Sequence, residues 1–167
     1  MAKYIMALDS GTTSNRCILF DENGRIRSVA QKEFIQHFPK PGWVEHDPME
    51  IWNSILETIA MAAEEAGIQV ADLTCMGLDN QGETVMLWDR YTGVPVYNAI
   101  VWQDRRTAKM ADELAEKYGD LIRERTGLVA DAYFSATKIR WIMDHVEGVR
   151  EKIENGHVIA GTLDTWM

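Results

Sequence analysis

Proline is scarce in this chain, at 4 of 167 residues, and cysteine is scarcer, at 2. There is no proline-rich linker, no low-complexity tract and no internal repeat. Two cysteines form neither a zinc-binding spacing nor a disulfide framework. Cys17 and Cys75 both fall in apolar, strand-like surroundings, where a buried free thiol is expected. No apolar run approaches the ~20 residues that a membrane helix needs. The opening Met-Ala-Lys-Tyr-Ile leads straight into a strand-like segment without a secretory apolar region. These absences predict a cytoplasmic location and no membrane partner. Basic charge is also in deficit, with 17 Lys plus Arg against 26 Asp plus Glu and a formal net charge of −9. Such a surface repels a polyanionic backbone, so no nucleic-acid partner is expected. A single nucleotide remains compatible, because local N–H groups and a metal ion can hold phosphates against the net field. The phosphate loop Gly-x-x-x-x-Gly-Lys-Ser/Thr is missing.

What is present is the composition of a globular protein, 46% hydrophobic and 26% charged, at a length expected to fold as one main unit. Residues 3 to 9, 15 to 21 and 25 to 36 are strand-like, and Asp21-Glu22-Asn23-Gly24 is a hairpin turn, which predicts an antiparallel three-strand meander. Asp47-Pro48-Met49-Glu50 combines an Asp cap, Pro at the first helical position and Glu at the position of a capping box. The helix it starts keeps its period through Trp52, Ile55, Leu56, Ile59, Ala63 and Ala66 and ends at Gly67. One face of it should cover the sheet. Leu73 to Leu78 reads as a fourth strand with a polar exit, Asp79 to Thr84. Further strands are expected at Val85 to Trp88, Ala99 to Trp102 and His157 to Leu163. One helix carries Ala108, Ala111, Leu114, Ala115 and Tyr118 and should stop near Gly119; another carries Ile139, Ile142, Met143 and Val146. This order suggests a ribonuclease-H-like α/β lobe, the building block of actin and hexokinase, with a mixed sheet flanked by helices. The last residues, Asp164-Thr165-Trp166-Met167, read as cut rather than finished.

The most informative stretch is Leu8-Asp-Ser-Gly-Thr-Thr-Ser-Asn-Arg16. It joins two apolar strands through one carboxylate, one glycine and three consecutive hydroxyls. Backbone N–H groups and hydroxyl donors of such a bend can close over phosphate oxygens, and Asp9 can hold a hydrated magnesium ion beside them. An ordinary polar hairpin turn would use the same residue types. From the residues alone the two readings stay equal.

Four stretches together resemble the FGGY carbohydrate kinases from end to end. They are Asp9-Ser-Gly-Thr-Thr-Ser-Asn-Arg16, Pro39-Lys-Pro-Gly-Trp-Val-Glu-His-Asp-Pro48, Tyr97-Asn-Ala-Ile-Val-Trp-Gln-Asp-Arg-Arg106 and Gly161-Thr-Leu-Asp-Thr-Trp166. The resemblance implies an N-terminal lobe spanning 1–167 that uses ATP and Mg2+, with glycerol or a related polyol as acceptor. It places ATP phosphates at Thr12, Thr13, Ser14 and Arg16, magnesium at Asp9 through water, and the polyol at Glu83, Trp102 and Tyr133. It also implies that the catalytic base and most of the adenine pocket belong to a second lobe, so that no catalytic residue is expected here and the fragment alone should be inactive. A homo-oligomer of the complete protein is left open.

One departure concerns Asn80-Gln81-Gly82-Glu83-Thr84, where the family has Asn-Gln-Arg-Glu-Thr. Loss of such a charged donor typically costs ~1.5–3 kcal/mol, about one to two decades in affinity. Gly82 therefore points to weaker glycerol binding or a different acceptor, or else to a tight turn that needs positive φ. Two other functions compete. One is a non-catalytic truncated module. The other is a ribonuclease-H-type nuclease with Asp9 and Asp79 as paired metal carboxylates, which the acidic charge and the lack of an aromatic–basic strip disfavour.

Overall fold

The computed structural model describes residues Lys3 to Met167. The described chain divides into two compact units, where one main unit was expected: residues 3–36 and 47–81 with Met167, and residues 37–46 with 82–166. In the first unit, strands β1 (Tyr4–Ser10), β2 (Ser14–Phe20) and β3 (Ile26–Glu33) form the expected meander. A later strand, β5 (Leu73–Asn80), joins β1 in parallel and makes a four-stranded sheet of order β3-β2-β1-β5. At Asp21–Gly24 the turn closes through Gly24 N donating to Asp21 O at 2.9 Å, and Gly24 has the positive φ of 73° that glycine permits.

Alternation decides what the sheet faces. Met6, Leu8, Cys17, Leu19 and Ala30 are buried, on the side packed by helix α1 (Pro48–Ala66). Asp47 Oδ1 accepts from Met49 N at 2.8 Å, and Gly67, with φ 66°, ends the helix. The buried stripe is Ile51, Ser54, Ile55, Thr58 and Ala62. Of the expected period, Ile55 is buried and Trp52, Ile59, Ala63 and Ala66 are half-buried, whereas Leu56 is 48% exposed. Two small hydroxyls share the buried face. Thr58 Oγ1 donates to Ser54 O at 2.6 Å within the helix, and Ser28 Oγ reaches Ala62 O at 2.7 Å from β3, so these polar groups enter the interior satisfied.

The cysteines separate. Cys17 is buried, and burial pushes its thiol up to about 11. Cys75 is free but exposed, contrary to expectation, because its register with the exposed Ile5 puts it on the sheet face opposite the buried Met6 and Leu8.

The second unit holds its own antiparallel sheet, β4 (Glu45–His46), β7 (Ala99–Ile100), β6 (Val85–Asp89) and β8 (Val158–Thr162), in that order. The strands expected after residue 85 thus build a separate sheet rather than extending the first. Helices α2 (Ala108–Thr126), α3 (Ser135–His145), α4 (Val149–Glu154) and α5 (Leu163–Trp166) complete it. Helix α2 runs through Gly119, where a stop was expected, and ends at Gly127, whose φ of 72° supplies the left-handed cap; a single helical glycine costs only ~1 kcal/mol. Val85, Leu87, Ile100, Ile142, Val149 and Val158 form the core. Gly161 is a packing requirement, since a Cβ there would lie 2.9 Å from the Trp88 ring and 3.0 Å from Thr165.

His46 is fully buried, and burial together with the nearby charge of His37 lowers its pKa from 6.5 to about 4. As pH falls from 6.5 towards 4, the unfolded chain takes up a proton at His46 while the folded chain does not, so stability is lost across that window. At pH 5 the loss is about 2 kcal/mol. Urea unfolding of the wild type and His46→Gln should show a shallower pH slope in the variant; parallel slopes would contradict this origin.

Candidate functional site

The phosphate-type bend lies in the first unit, between β1 and β2. Gly11 N donates to Ser14 O at 3.0 Å and closes the turn. A Cβ at Gly11 would sit 3.3 Å from Ser14 O and 3.9 Å from Asp9 Oδ1, so glycine keeps this concavity open. The base of the turn is anchored by buried polar groups. Ser10 Oγ donates to Asn15 Oδ1 at 2.7 Å, Asn15 Nδ2 reaches Ile51 O on α1 at 3.2 Å, and Gln81 N donates to Ser10 O at 3.0 Å.

Strand register places Arg16 opposite Asp9, and both are exposed. Asp79 of β5 stands beside Asp9 on the other side, in parallel register. Arg16 Nη2 and Nε donate to Gln31 Oε1 at 2.8 and 3.2 Å, while Gln31 Nε2 donates to Ser14 Oγ at 2.9 Å. Asp9, Thr12, Thr13, Ser14 and Arg16 are thereby gathered around one bend. Gln31, which tethers two of them from β3, went unrecognised in the sequence because a lone glutamine in a strand carries no motif.

The expected polyol residues all lie in the second unit. Trp102 and Tyr133 meet edge to face with ring centroids 5.8 Å apart, and Tyr133 is 41% exposed. Ser135 Oγ donates to Glu83 Oε2 at 3.1 Å and holds that carboxylate from the start of α3. Asp131 shapes the preceding turn. Its Oδ1 accepts from Tyr133 N at 2.7 Å and from Arg105 Nη1 at 2.8 Å. The Tyr133 N–H, and secondarily Arg105, hold its carboxyl below the usual range despite burial. Gly82 does not have positive φ, and a Cβ there would meet nothing within 4 Å, so the tight-turn explanation fails. The backbone has room for a side chain at this position.

A buried charge cluster explains two of the four sequence motifs. The Arg106 side chain is fully buried and forks onto Asp104, with Nε at 3.0 Å from Oδ1 and Nη2 at 2.8 Å from Oδ2, and it also reaches Glu45 Oε1 at 2.8 Å. Its guanidinium lies 3.8 Å from the Trp43 ring centroid and 4.6 Å from that of Trp141. Glu45 accepts further bonds from Tyr97 Oη at 2.7 Å and Asn98 Nδ2 at 2.9 Å. Burial pushes Glu45 up, but these donors together with Arg106 outweigh it and hold the carboxyl below its ordinary range. The Pro39–Pro48 and Tyr97–Arg106 stretches are thus joined by an ion cluster of the second unit.

Comparison with known proteins addresses the family. Residues 4–167 match the N-terminal domain of the FGGY family of carbohydrate kinases. The chain belongs to the FGGY carbohydrate kinases. This FGGY domain is 61% identical over 166 residues to glycerol kinase 2 of Thermotoga maritima, covering 99% of the chain and 34% of that relative. It is 58% identical over 168 residues to a glycerol kinase of Bacillus thuringiensis, covering 100% of the chain and again 34% of the relative. Among solved structures, a Plasmodium falciparum glycerol kinase with ADP superposes with a TM-score of 0.91 at 34% identity, over 99% of this chain and 33% of that one. A xylulose kinase from Rhodospirillum rubrum shares the fold, with a TM-score of 0.82 at 24% identity, over 98% of this chain and 33% of that one. The FGGY domain spans about a third of the length of these relatives.

Replacing Arg106 by Met would leave the Glu45 and Asp104 carboxylates buried without their cation. The expected cost is about 3–5 kcal/mol in urea unfolding. Arg106→Lys should recover little of it, because an ammonium cannot reproduce the planar fork. A loss below about 1 kcal/mol for Arg106→Met would mean that the cluster contributes little.

Proposed function

We propose that this domain is the N-terminal lobe of an ATP-dependent glycerol kinase, which transfers the γ-phosphoryl group of ATP to a terminal hydroxyl of glycerol and gives sn-glycerol 3-phosphate. The observation that carries the reading is the anchored, hydroxyl-rich bend at Thr12–Ser14, flanked by Arg16 and Asp9, in a chain about 60% identical to proteins named glycerol kinase. Phosphoryl transfer demands positioning and charge neutralisation more than covalent chemistry, and hydroxyls, N–H groups and a guanidinium supply both.

Thr12, Thr13 and Ser14 bind phosphate oxygens, and Arg16 offsets their charge. Asp9 suits a magnesium ion held through water. Among the described residues no group of three or more His, Cys, Asp or Glu could hold a metal, which fits an ion carried largely by the nucleotide's own oxygens. A magnesium ion held through water at Asp9 would supply positive charge to offset that of the phosphates. In the second unit, Glu83 accepts from glycerol hydroxyls, Tyr133 Oη donates or accepts beside it, and Trp102 packs against the carbon chain. A site built on such hydrogen bonds rejects analogues that lack the hydroxyls.

Position 82, where an added Cβ would meet nothing within 4 Å, tests the acceptor. In the complete enzyme that carries this domain, a coupled ADP assay should report glycerol phosphorylation, and Gly82→Arg should lower the KM for glycerol by roughly tenfold, the worth of one charged donor. A KM that is unchanged or raised would remove this account of position 82. Turnover with xylulose or gluconate but none with glycerol would overturn the acceptor assignment.

A further inference from the structure

Lys138 is the most anomalous side chain of the second unit. It is fully buried, yet it sits in the first turns of α3, the positive end of the helix dipole, where a cation is electrostatically misplaced. Burying an ammonium is costly unless every donor finds a partner. Here three carbonyls converge on it: Nζ donates to Ala132 O at 2.5 Å, Tyr133 O at 2.5 Å and Phe134 O at 3.3 Å. An ammonium has three N–H donors, and these bonds employ all of them. The carbonyls belong to the turn that presents Tyr133, and the next residue, Ser135, holds Glu83. Departures from local rules of this kind are expected at functional or strained sites.

We propose that Lys138 is a positioning residue for the acceptor, its ammonium clamping the Ala132–Phe134 turn so that Tyr133 and, through Ser135, Glu83 keep the geometry that receives the polyol's hydroxyls. The proposal rests on the acceptor reading given above. Lys138 itself touches no acceptor, and its effect passes through the turn.

The clamp is titratable. Burial lowers Lys138 from 10.5 to about 8; Asp104, Glu83 and Asp131 favour its charged form, and Arg105 opposes it. A neutral amine has two N–H donors for three carbonyls, so raising the pH through about 8 loosens the turn.

The test uses the complete enzyme, wild type and Lys138→Met, with steady-state kinetics in glycerol and in ATP and with amide hydrogen exchange over residues 131–135. Lys138→Met should raise the KM for glycerol about tenfold, leave the KM for ATP within about twofold, and accelerate exchange across the turn. In the wild type, the KM for glycerol should climb between pH 7 and 9 while that for ATP stays level; in Lys138→Met it should be high and flat. An unchanged KM for glycerol, an equal rise in the KM for ATP, or a wild-type KM flat across that range would each overturn the proposal. The wild-type pH profile decides the matter if the variant does not fold. Should the enzyme prefer another polyol, the glycerol reading fails alone and the same comparisons are made with that acceptor. Unchanged exchange at 131–135 refutes the clamp whatever the acceptor.

Discussion

The forked ion pair of Arg106 with Asp104, extended to Glu45 and roofed by Trp43 and Trp141, is the constraint on which the second unit depends. It joins the 37–46 segment, which includes β4, to the segment after β7, with helix α3 supplying one aromatic wall. Asp104 also accepts from Val44 N at 2.6 Å and from Arg106 N at 2.8 Å, so one carboxylate fixes two backbone segments as well as the guanidinium. Trp102 lies two residues before Asp104, and Arg105, which braces the Tyr133 turn through Asp131, lies one residue after it. The substrate-type side chains are therefore set on a scaffold whose order comes from a dry, fully partnered charge cluster, an arrangement that is strong only when every member is present.

The first unit reaches the same end by different means. Its bend is short, and its hydroxyls are polar and partly exposed, so the sheet alone would leave it free to fray. The buried Ser10–Asn15–Ile51 chain pins it to α1, while Gln31 restrains Arg16 and Ser14 from the neighbouring strand. In both units the groups suited to a ligand are held by residues that would not touch one. Such preorganisation is what a reaction governed by positioning requires.

Much of this was legible beforehand, and the failures have physical causes. The meander, the Asp47–Pro48 helix start and the fourth strand at Leu73 rest on local chemistry, namely turn residues, caps and alternation, and they appear where expected. The helix stop at Gly119 failed because one glycine inside a long helix is a small cost that packing overrides. The buried face of α1 includes Ser54 and Thr58, which apolar counting misses, because Ser54 Oγ donates to Lys32 O on β3 at 3.5 Å and Thr58 Oγ1 to Ser54 O at 2.6 Å. The strands at Val85, Ala99 and Val158 appear where expected, but their assembly into a separate sheet was not legible, because β4 is only two residues long and pairs with β7 across a long sequence distance. The bend at Asp9–Arg16 was readable as a motif, whereas Gln31, Ser135 and Lys138 support the candidate sites only through contacts that no sequence spacing reveals.

The central claim is that the hydroxyl bend grips nucleotide phosphates while Glu83, Trp102 and Tyr133 receive the polyol. A crystal structure of the complete enzyme with magnesium ADP and glycerol tests it most directly. The account predicts phosphate oxygens within hydrogen-bonding distance of the Thr12–Ser14 hydroxyls or N–H groups, and glycerol hydroxyls on Glu83 with the carbon chain against Trp102. Nucleotide bound away from that bend, or glycerol bound away from Glu83, would contradict it.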